Sequence, residues 1–337
     1  MARPQNKEEF RRIMAEEFAN VLEKEGTSWR QQWSGGMAGP RNGVTDGRYR
    51  GTNAFWLSLV AMNQGFTDPR WVTSIQVNDV HHRYHPGQHW HIKAGSKATY
   101  VEYWYPFDQV KKRAFTWQEY RDAIDQGRSE NEFSLQVRYT PVFNANQIEG
   151  MPELELSEKN PSIEMDELVK KLFDEMGVSF KTNYEGKAYY TPAEDTIYLP
   201  PQETFTDEYA FNSTALHELS HATGHMTRLN RPLTAFFGSD GYAYEELIAE
   251  ICACFMGADL NTVPTEEQIE NHESYVKSWA QGIREKPDIL IKAIRDAQQA
   301  STYMEMKAGL LTEQEYDRIQ SNTKTIRVRN VAARGAR

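Results

Sequence analysis

The chain has 337 residues, with 38 Lys and Arg against 48 Asp and Glu and a formal net charge of −10. Hydrophobic residues make up 39% of the sequence and the mean hydropathy is −0.72, which is typical of a soluble protein long enough for two domains. The longest apolar run, Ala54–Met62, is too short to span a bilayer, and the N-terminus lacks the apolar core of a secretory signal. The two cysteines, Cys252 and Cys254, exclude a disulfide framework and fit a reducing compartment. We therefore expect a cytoplasmic protein with no membrane partner.

The acidity is concentrated in the second half of the chain. Residues 1–150 carry 19 basic and 17 acidic residues, whereas residues 151–337 carry 19 and 31. Between residues 26 and 115 the bases outnumber the acids 11 to 5, and seven of the eight tryptophans lie at or before Trp117. The first half is therefore basic and aromatic, and the overall charge does not exclude a nucleic-acid partner.

In the first half, apolar residues at helical spacing predict a helix that ends at Gly26. A second helix is expected near Thr52–Asn63, with Thr52 or Asn53 as its N-cap. The aromatic and β-branched segments ATYVEYWYPF, RAFTWQEY and SLQVRYTPVFNA predict antiparallel strands. These elements indicate a small α+β domain with an antiparallel sheet.

A polar, acidic, Pro-containing segment at 149–167 predicts a domain boundary at about residue 155. Beyond it we expect a helix ending at Gly177, three short strands at 178–181, 188–191 and 196–199, and helices at 209–223, 244–256 and 265–306, the last interrupted near Pro287. Residues 324–337 contain five basic residues and no acid, which predicts a flexible basic tail. The predicted fold is α+β with two domains, 1–155 and a mostly helical 156–323 with a short sheet, followed by the tail 324–337.

The strongest chemical signal is the segment ALHELSHATGH, which contains an HExxH pattern formed by His217, Glu218 and His221. Histidines four residues apart project from one face of a helix, where a single tetrahedral Zn²⁺ can bind both imidazoles. Glu218 lies beside them, in position to accept a proton from a metal-activated water. The pattern predicts one Zn²⁺, or another divalent transition metal in its place, bound by His217 and His221, with Glu218 as the catalytic base.

A catalytic zinc ion requires a third protein ligand, and the predicted helix YEELIAEICACF offers three carboxylates. We predict Glu246 as that ligand. Glu250 lies one turn further along the same face, where it can accept the second ring N–H of a ligating histidine. Glu245 points about 100° away and is the alternative ligand.

The other histidines give weaker signals. His225 lies beyond Gly224, where the helix is expected to end, and its spacing leaves its role open. A metzincin would place its third histidine at position 227, which is a threonine, so that class is disfavoured. The segment HHRYHPGQHWHIK holds five histidines between 81 and 91, but it contains no carboxylate or cysteine and is broken by Pro86 and Gly87. A polar hairpin is therefore favoured there over a second metal site.

Single-stranded nucleic acid is bound by basic grooves that follow the phosphates and by aromatic rings on which unpaired bases stack. The first half supplies both kinds of side chain in its predicted loops. The alternative is that these rings pack the core of a small domain. The interleaved residues are Trp29, Arg30, Trp33, Arg41, Arg48, Tyr49, Arg50, Arg70, Trp71, Lys93 and Lys97.

The ordered motifs TSWRQQW, GRYRGTNAFWL, DPRWVTSIQ, IKAGSKATYVEYW, VFNANQIEG, DTIYLPPQETF, HELSHATGHMTRLNR and YAYEELIAEICACFM cover nearly the whole chain. In these motifs the chain resembles the ArdC-type antirestriction proteins of conjugative elements. The resemblance implies an N-terminal single-stranded-DNA-binding domain and a C-terminal zincin-like metallopeptidase domain, which protect incoming plasmid DNA from host restriction. It implies the same metal-site roles for His217, Glu218, His221, Glu246 and Glu250. Through the RYRGTN and PRW segments it implies DNA contacts by Arg48, Tyr49, Arg50, Asn53, Arg70 and Trp71.

The leading hypothesis is a cytoplasmic antirestriction protein that binds single-stranded DNA and carries a zinc peptidase site of the gluzincin type. A host restriction component or another protein is its candidate substrate. The alternative is a soluble zinc metallopeptidase whose N-terminal domain binds a protein substrate instead of DNA. A purely structural zinc site is disfavoured, because such sites usually have four protein ligands and the pattern provides three.

Overall fold

The computed structural model describes residues 3–26, 29, 39–154, 165–205, 208–233, 240–260 and 273–319. The predicted boundary at residue 155, the basic tail 324–337 and two of the predicted DNA-contacting residues, Arg30 and Trp33, lie outside these ranges. Among the helices within them, none is long and apolar enough to cross a membrane.

The N-terminal part begins with helix α1 (Lys7–Glu25), which starts at an Asn6 cap and ends, as predicted, where Gly26 adopts a φ of 57°. The elements that follow include a π-helical turn at Val80–Tyr84 and 3₁₀ turns at Glu130–Glu132 and Ala145–Gln147. The helices and strands are β1 (Arg41–Asn42), α2 (Gly51–Gln64), β2 (Arg70–Thr73), α3 (Ser74–Asp79), β3 (His91–Ile92), β4 (Thr99–Asp108), β5 (Arg113–Ala114), α4 (Trp117–Asp125), β6 (Phe133–Asn144) and β7 (Ile148–Glu149).

Five strands form one sheet in the order β1-β2-β6-β4-β5, and β3 pairs separately with β7. The centre of the five-stranded sheet is the long antiparallel ladder of β4 and β6, which runs from the pair Thr99–Val142 to the pair Asp108–Phe133. Helices cover one face of this ladder. The ring of Phe10 on α1 lies 5.1 Å from Tyr139, and that of Tyr120 on α4 lies 5.1 Å from Phe133. The opposite face is partly solvated, as is common for antiparallel sheets.

Two local predictions for the N-terminal part are wrong. RAFTWQEY was expected to be a strand, but only Arg113–Ala114 is extended and the rest enters α4. The reason is a capping box, in which Thr116 and Glu119 each accept a hydrogen bond from the backbone N–H of the other. Helix α2 begins at Gly51, before both predicted cap residues.

The C-terminal part is mostly helical. Its three-stranded sheet has the order β8-β10-β9, with β8 parallel and β9 antiparallel to β10. A 3₁₀ turn covers Gln202–Thr204, and residues 313–319 are helical. The main elements are α5 (Met165–Met176), β8 (Ser179–Thr182), β9 (Tyr189–Thr191), β10 (Thr196–Leu199), α6 (Glu208–Ala222), α7 (Asp240–Leu260), α8 (Glu273–Glu285) and α9 (Asp288–Lys307).

One hydrophobic cluster continues from the N-terminal helices into the C-terminal ones, where α1 packs against α8 and α2 against α9. Ion pairs also join α1 to the C-terminal helices at the surface, including Arg11 of α1 with Asp288 of α9 at 2.8 Å. The predicted α+β class with a sheet-containing N-terminal domain and a helical C-terminal domain is confirmed. The two parts nevertheless share one buried core.

Candidate metal centre

The HExxH residues lie in the last two turns of α6, which packs against α7. Leu216, Leu219 and Ala222 anchor this end of α6 in the core. Gly224 then lets the chain return closely past the site, because a Cβ atom there would lie 2.8 Å from Leu233 Cδ2 and 3.1 Å from Arg231 Nη2. Apolar packing and this turn together hold the two histidines in place.

His217, His221 and Glu246 converge between α6 and α7. Their potential ligand atoms all lie within 4.8 Å of one another, and among the described residues no other group of three His, Cys, Asp or Glu side chains was found this close. The two histidine Nε2 atoms are 3.2 Å apart. Each lies 3.5 Å from an oxygen of Glu246. Glu246, the residue predicted as third ligand, thus lies at the same distance from both Nε2 atoms.

These distances match the requirements of a metal ion. A tetrahedral ion with ligand bonds of about 2.0–2.1 Å separates its ligands by about 3.4 Å. The observed spacings of 3.2 and 3.5 Å are close to that value. Two imidazoles and one carboxylate are also a typical catalytic zinc set, which leaves one coordination position for water or substrate. The residues present therefore fit a divalent metal.

Glu218 lies beside this cluster and is buried. The backbone of Tyr190, on strand β9, lies near the Glu218 carboxylate and acts to lower its pKa. Burial raises the pKa of Glu218 above its usual value, although His217 and His221 oppose that change. A buried carboxylate with a raised pKa is suited to accept and deliver a proton.

Each histidine has a further carboxylate at its Nδ1 side. Glu250 Oε1 lies 3.7 Å from Nδ1 of His217, on the predicted side of the ring but beyond hydrogen-bond distance. Glu245 Oε1 lies 3.4 Å from Nδ1 of His221. Such partners select the tautomer of a ligating imidazole and orient its ring. Glu245, the alternative ligand, therefore lies at the Nδ1 side of His221, whereas Glu246 lies at the Nε2 side.

Arg231 is a site residue that the sequence analysis missed. Its guanidinium donates to Glu245 at 2.6 Å and to the backbone carbonyl of Ser220 at 2.8 Å. Burial raises the pKa of Glu245, but His221 and Arg231 outweigh it and hold the pKa below its usual value. A buried carboxylate on an apolar helix requires a positively charged partner. The position of Glu245 on such a helix could therefore have predicted a basic residue near the site, which the structure shows to be Arg231.

The negative charges of Glu245, Glu246 and Glu250 favour positive charge at this centre, either as protonated histidines or as a bound metal ion. Burial lowers the pKa of His217, but Glu250 and Glu246 outweigh it and leave that pKa raised. Burial also opposes protonation of His221, yet Glu246 and Glu245 raise its pKa to about 9. A divalent metal would displace these protons, because it binds the neutral imidazoles and the ionised carboxylate.

His225 lies away from the three converging side chains. Its Nδ1 is 2.8 Å from the Thr227 hydroxyl and 3.8 Å from Asp195 Oδ2. Asp195 also pairs with the Arg228 guanidinium and accepts a hydrogen bond from the Tyr190 hydroxyl at 2.7 Å. This network joins β9 to the turn after α6, so it supports the strand whose backbone lies near Glu218.

The histidine-rich segment 81–91 forms the π-helical turn and a loop, followed by β3, rather than the expected hairpin. The His81 ring stacks on His89 with centroids 4.4 Å apart, and His81 Nδ1 accepts the N–H of Gly87 at 3.0 Å. No group in this described segment meets the distance requirement for a metal site. His81 therefore packs on His82 and His89, and His85 packs on Trp90.

Several residues predicted to contact DNA have internal roles instead. Trp29 and Trp71 are each only 1% exposed, in the hydrophobic core, so the prediction that they stack on bases is corrected. Asn53 exchanges two hydrogen bonds of 2.8 Å with the backbone of Glu102 and satisfies the edge of β4. Hydrophobic burial and backbone pairing explain these positions.

Three of the predicted arginines form ion pairs. Arg50 donates to Glu305 on α9 at 2.9 Å, Arg70 donates to Asp68 at 2.7 Å, and Arg41 donates to Asp46 at 3.1 Å. Tyr49 is partly buried against the core. The remaining predicted residues that the structure describes, Arg48, Lys93 and Lys97, are exposed.

Two family models match the chain. Residues 8–143 match the N-terminal domain of the anti-restriction factor ArdC, and residues 167–296 match a zincin-like metallopeptidase family. Two curated relatives, both DNA primase TraC from Escherichia coli, are 32% identical over 88% of this chain. The chain spans only 27% and 20% of their lengths. The uncharacterized protein y4eC of Sinorhizobium fredii is 27% identical over 89% of this chain and 93% of its own length.

Two crystal structures of the antirestriction ArdC protein from the R388 plasmid have the same fold. The metal-free structure has a TM-score of 0.68 at 26% identity and covers 90% of this chain and 99% of the R388 chain. The Mn(II)-bound structure has a TM-score of 0.66 at 27% identity and covers 88% and 97%. The chain therefore belongs to the ArdC-type proteins, with an ArdC N-terminal domain followed by a zincin-like metallopeptidase domain.

Proposed function

We propose that this chain is an antirestriction protein of a conjugative or mobile element, which binds single-stranded DNA and carries a zinc-dependent peptidase site. The observation that carries the proposal is the convergence of His217, His221 and Glu246 around one point, with Glu218 beside them. Membership of the ArdC-type proteins supports the antirestriction role, and the Mn(II)-bound R388 relative supports a divalent metal. The proposed location is the cytoplasm, where incoming DNA meets host restriction enzymes.

The proposed reaction is hydrolysis of a peptide bond, with a host restriction component or another protein as substrate. A divalent ion bound by the two histidines and Glu246 would act as a Lewis acid on the scissile carbonyl and lower the pKa of water. Glu218 would accept the proton of the attacking water and deliver it to the leaving amine. Glu245 would orient the imidazole of His221 through its Nδ1 atom, and Glu250 lies on the Nδ1 side of His217.

The decisive variant is Glu218→Gln, because it removes the proposed base and leaves the three proposed metal ligands in place. We expect it to retain one metal ion per chain by elemental analysis and to lose peptidase activity by about 10²-fold or more. The matched control is Glu203→Gln, an exposed carboxylate on the 3₁₀ turn, which should change neither property. Full peptidase activity in Glu218→Gln would refute the assignment of the base.

The antirestriction role is tested separately, by plasmid transfer into restricting and non-restricting hosts. Expression of the wild-type chain should raise transfer into the restricting host only. Parallel tests of Glu218→Gln then decide whether protection needs the peptidase reaction. No gain in transfer with the wild-type chain would refute the antirestriction role.

The second candidate function is a soluble zinc metallopeptidase whose N-terminal domain binds protein. It is favoured by the burial of Trp29 and Trp71, which removes two rings from the set available to DNA. A titration of the full chain with labelled single-stranded and duplex DNA distinguishes the two functions. Binding that prefers single strands and weakens with salt supports the DNA-binding function, and no binding at low salt supports the alternative.

A further inference from the structure

The middle of the β4–β6 ladder exposes a patch of aromatic and basic side chains on the face opposite α1 and α4. The strand register pairs Tyr103 with Arg138 and Tyr105 with Gln136, so these four side chains lie on one face. Tyr103 is 41% exposed, Arg138 and Gln136 are exposed, and Tyr105 is half-buried. We call these four residues the tyrosine face.

The side chains of the tyrosine face are held in a defined arrangement. The two tyrosine rings are nearly parallel, with an interplanar angle of 22° and centroids 6.4 Å apart. The Arg138 guanidinium lies 4.4 Å from the centroid of Tyr103 and 5.9 Å from that of Tyr105. The Tyr105 hydroxyl donates to Gln136 at 3.2 Å. A ligand would therefore meet rings and a cation that lose little conformational freedom on binding.

The ladder residues of the tyrosine face include a base and no acid. β4 continues from Tyr105 for about 10 Å, at about 3.3 Å per residue, and then enters the turn that carries the exposed Lys111 and Lys112, of which Lys111 lies over Phe115 on the α4 side, next to the 3₁₀ turn with Glu130 and Glu132. The acidic residue at that end of the strand, Asp108, alternates to the opposite face and pairs with Arg128 at 2.6 Å. No acid occurs among the ten ladder residues that share the face: Thr99, Val101, Tyr103, Tyr105, Phe107, Ser134, Gln136, Arg138, Thr140 and Val142.

We propose that the tyrosine face is the surface on which this protein binds single-stranded DNA. Unpaired bases stack on Tyr103 and Tyr105, and a phosphate contacts Arg138. Duplex DNA is a poor fit, because its bases already stack on one another and do not offer their faces to a side chain. The inference rests on the proposed DNA-binding function and assigns it to residues that the sequence analysis did not select.

A purely structural role for the same residues makes a different prediction. Cross-strand pairs of tyrosine and arginine stabilise a sheet, so their removal would lower stability and leave DNA affinity unchanged. If the rings stack on bases, their removal should instead lower DNA affinity while the chain stays folded. The two roles are therefore separated by measuring DNA affinity and thermal unfolding on the same variants.

The experiment is a fluorescence anisotropy titration of a labelled 20-nucleotide oligo-dT with the full chain, at several salt concentrations. Tyr103→Ala/Tyr105→Ala should weaken binding at least about fivefold, the lower limit for one lost base stack, with little change in the salt dependence. Arg138→Gln should reduce the slope of log affinity against log salt by about 0.7, the value for one phosphate contact to a single strand. The matched controls are Tyr184→Ala, a tyrosine 86% exposed between β8 and β9, and Arg121→Ala, an exposed arginine on α4.

The outcomes separate this inference from the function on which it rests. If the wild-type chain binds the oligonucleotide and the tyrosine-face variants bind with the same affinity and salt slope, the tyrosine face is refuted and the DNA-binding function stands. If the wild-type chain does not bind at low salt, both are refuted. Should the double alanine variant unfold, Arg138→Glu on the exposed surface replaces it. A loss of more than about tenfold relative to Arg121→Glu then supports the inference, and equal affinities overturn it.

Discussion

Replacing Arg50 by methionine should destabilise the protein without weakening its affinity for DNA. The sequence pattern predicts that Arg50 contacts DNA, whereas the structure places its guanidinium 2.9 and 3.4 Å from the two carboxylate oxygens of Glu305 on α9. The Glu305 side chain is only 3% exposed, and that of Arg50 is 27% exposed. The substitution would therefore remove the guanidinium that faces a buried carboxylate.

The burial of the two partners sets the expected size of the effect. Removing one partner of a fully buried ion pair costs about 3–5 kcal/mol, whereas an exposed pair contributes about 1 kcal/mol or less. Because Glu305 is buried and Arg50 is partly exposed, we expect an intermediate loss of about 2 kcal/mol in the free energy of unfolding. Methionine preserves most of the apolar stem, so lost packing adds little. Adding Glu305→Gln to Arg50→Met should recover about half of the loss, because a neutral amide is less costly to bury.

The assay is urea denaturation of the full chain, combined with a DNA titration of each folded variant. Arg48→Met is the matched control, because Arg48 is an exposed arginine two residues away and its replacement should change stability by no more than about 0.5 kcal/mol. An unchanged unfolding midpoint together with a clear fall in DNA affinity for Arg50→Met would refute the reasoning. Arg50 would then contact DNA, as the sequence analysis first predicted.

Three further predictions test the metal centre, the core and the sheet. Glu246→Ala should abolish stoichiometric zinc binding measured by elemental analysis, whereas Glu245→Gln should weaken it only about 10–100-fold, and tight zinc binding by Glu246→Ala would remove Glu246 from the ligand set. Trp71→Ala should lower stability by about 3–5 kcal/mol in thermal unfolding, because the ring is 1% exposed, and an unchanged melting temperature would contradict its burial. Arg128 holds the pKa of Asp108 below its usual value of 3.8, so this carboxylate stabilises the fold above about pH 4 and the stabilisation is lost as the pH falls. Asp108→Asn should therefore be less stable than wild type at pH 7 by urea denaturation, with a difference that narrows toward pH 3, and a difference independent of pH would argue against the pair.

The sequence by itself was sufficient for features that depend on local interactions. The HExxH spacing on α6 and the helix end at Gly177 follow from the helical period and from glycine at a C-terminus, which act within a few residues. The predicted third ligand came from the helical period, which puts Glu246 and Glu250 on one face, but the structure also brings Glu245 to His221, which that period did not indicate. The strand predicted at RAFTWQEY from its aromatic and β-branched residues was wrong, because the Thr116 cap starts a helix there.

Tertiary structure alone decided which side chains are buried and which remain available. Trp71 and Tyr103 are both aromatic residues of the basic half, yet one lies in the shared core and the other on a solvated sheet face. The register places Trp71, which pairs with Asn144, on the same sheet face as Tyr103, which pairs with Arg138, so alternation along the strands does not separate them; only tertiary packing decides which part of that face is covered. Likewise, Arg50 meets Glu305 across 255 residues of sequence because α2 packs on α9. Such contacts depend on how distant elements pack together, and no local period in the chain encodes them.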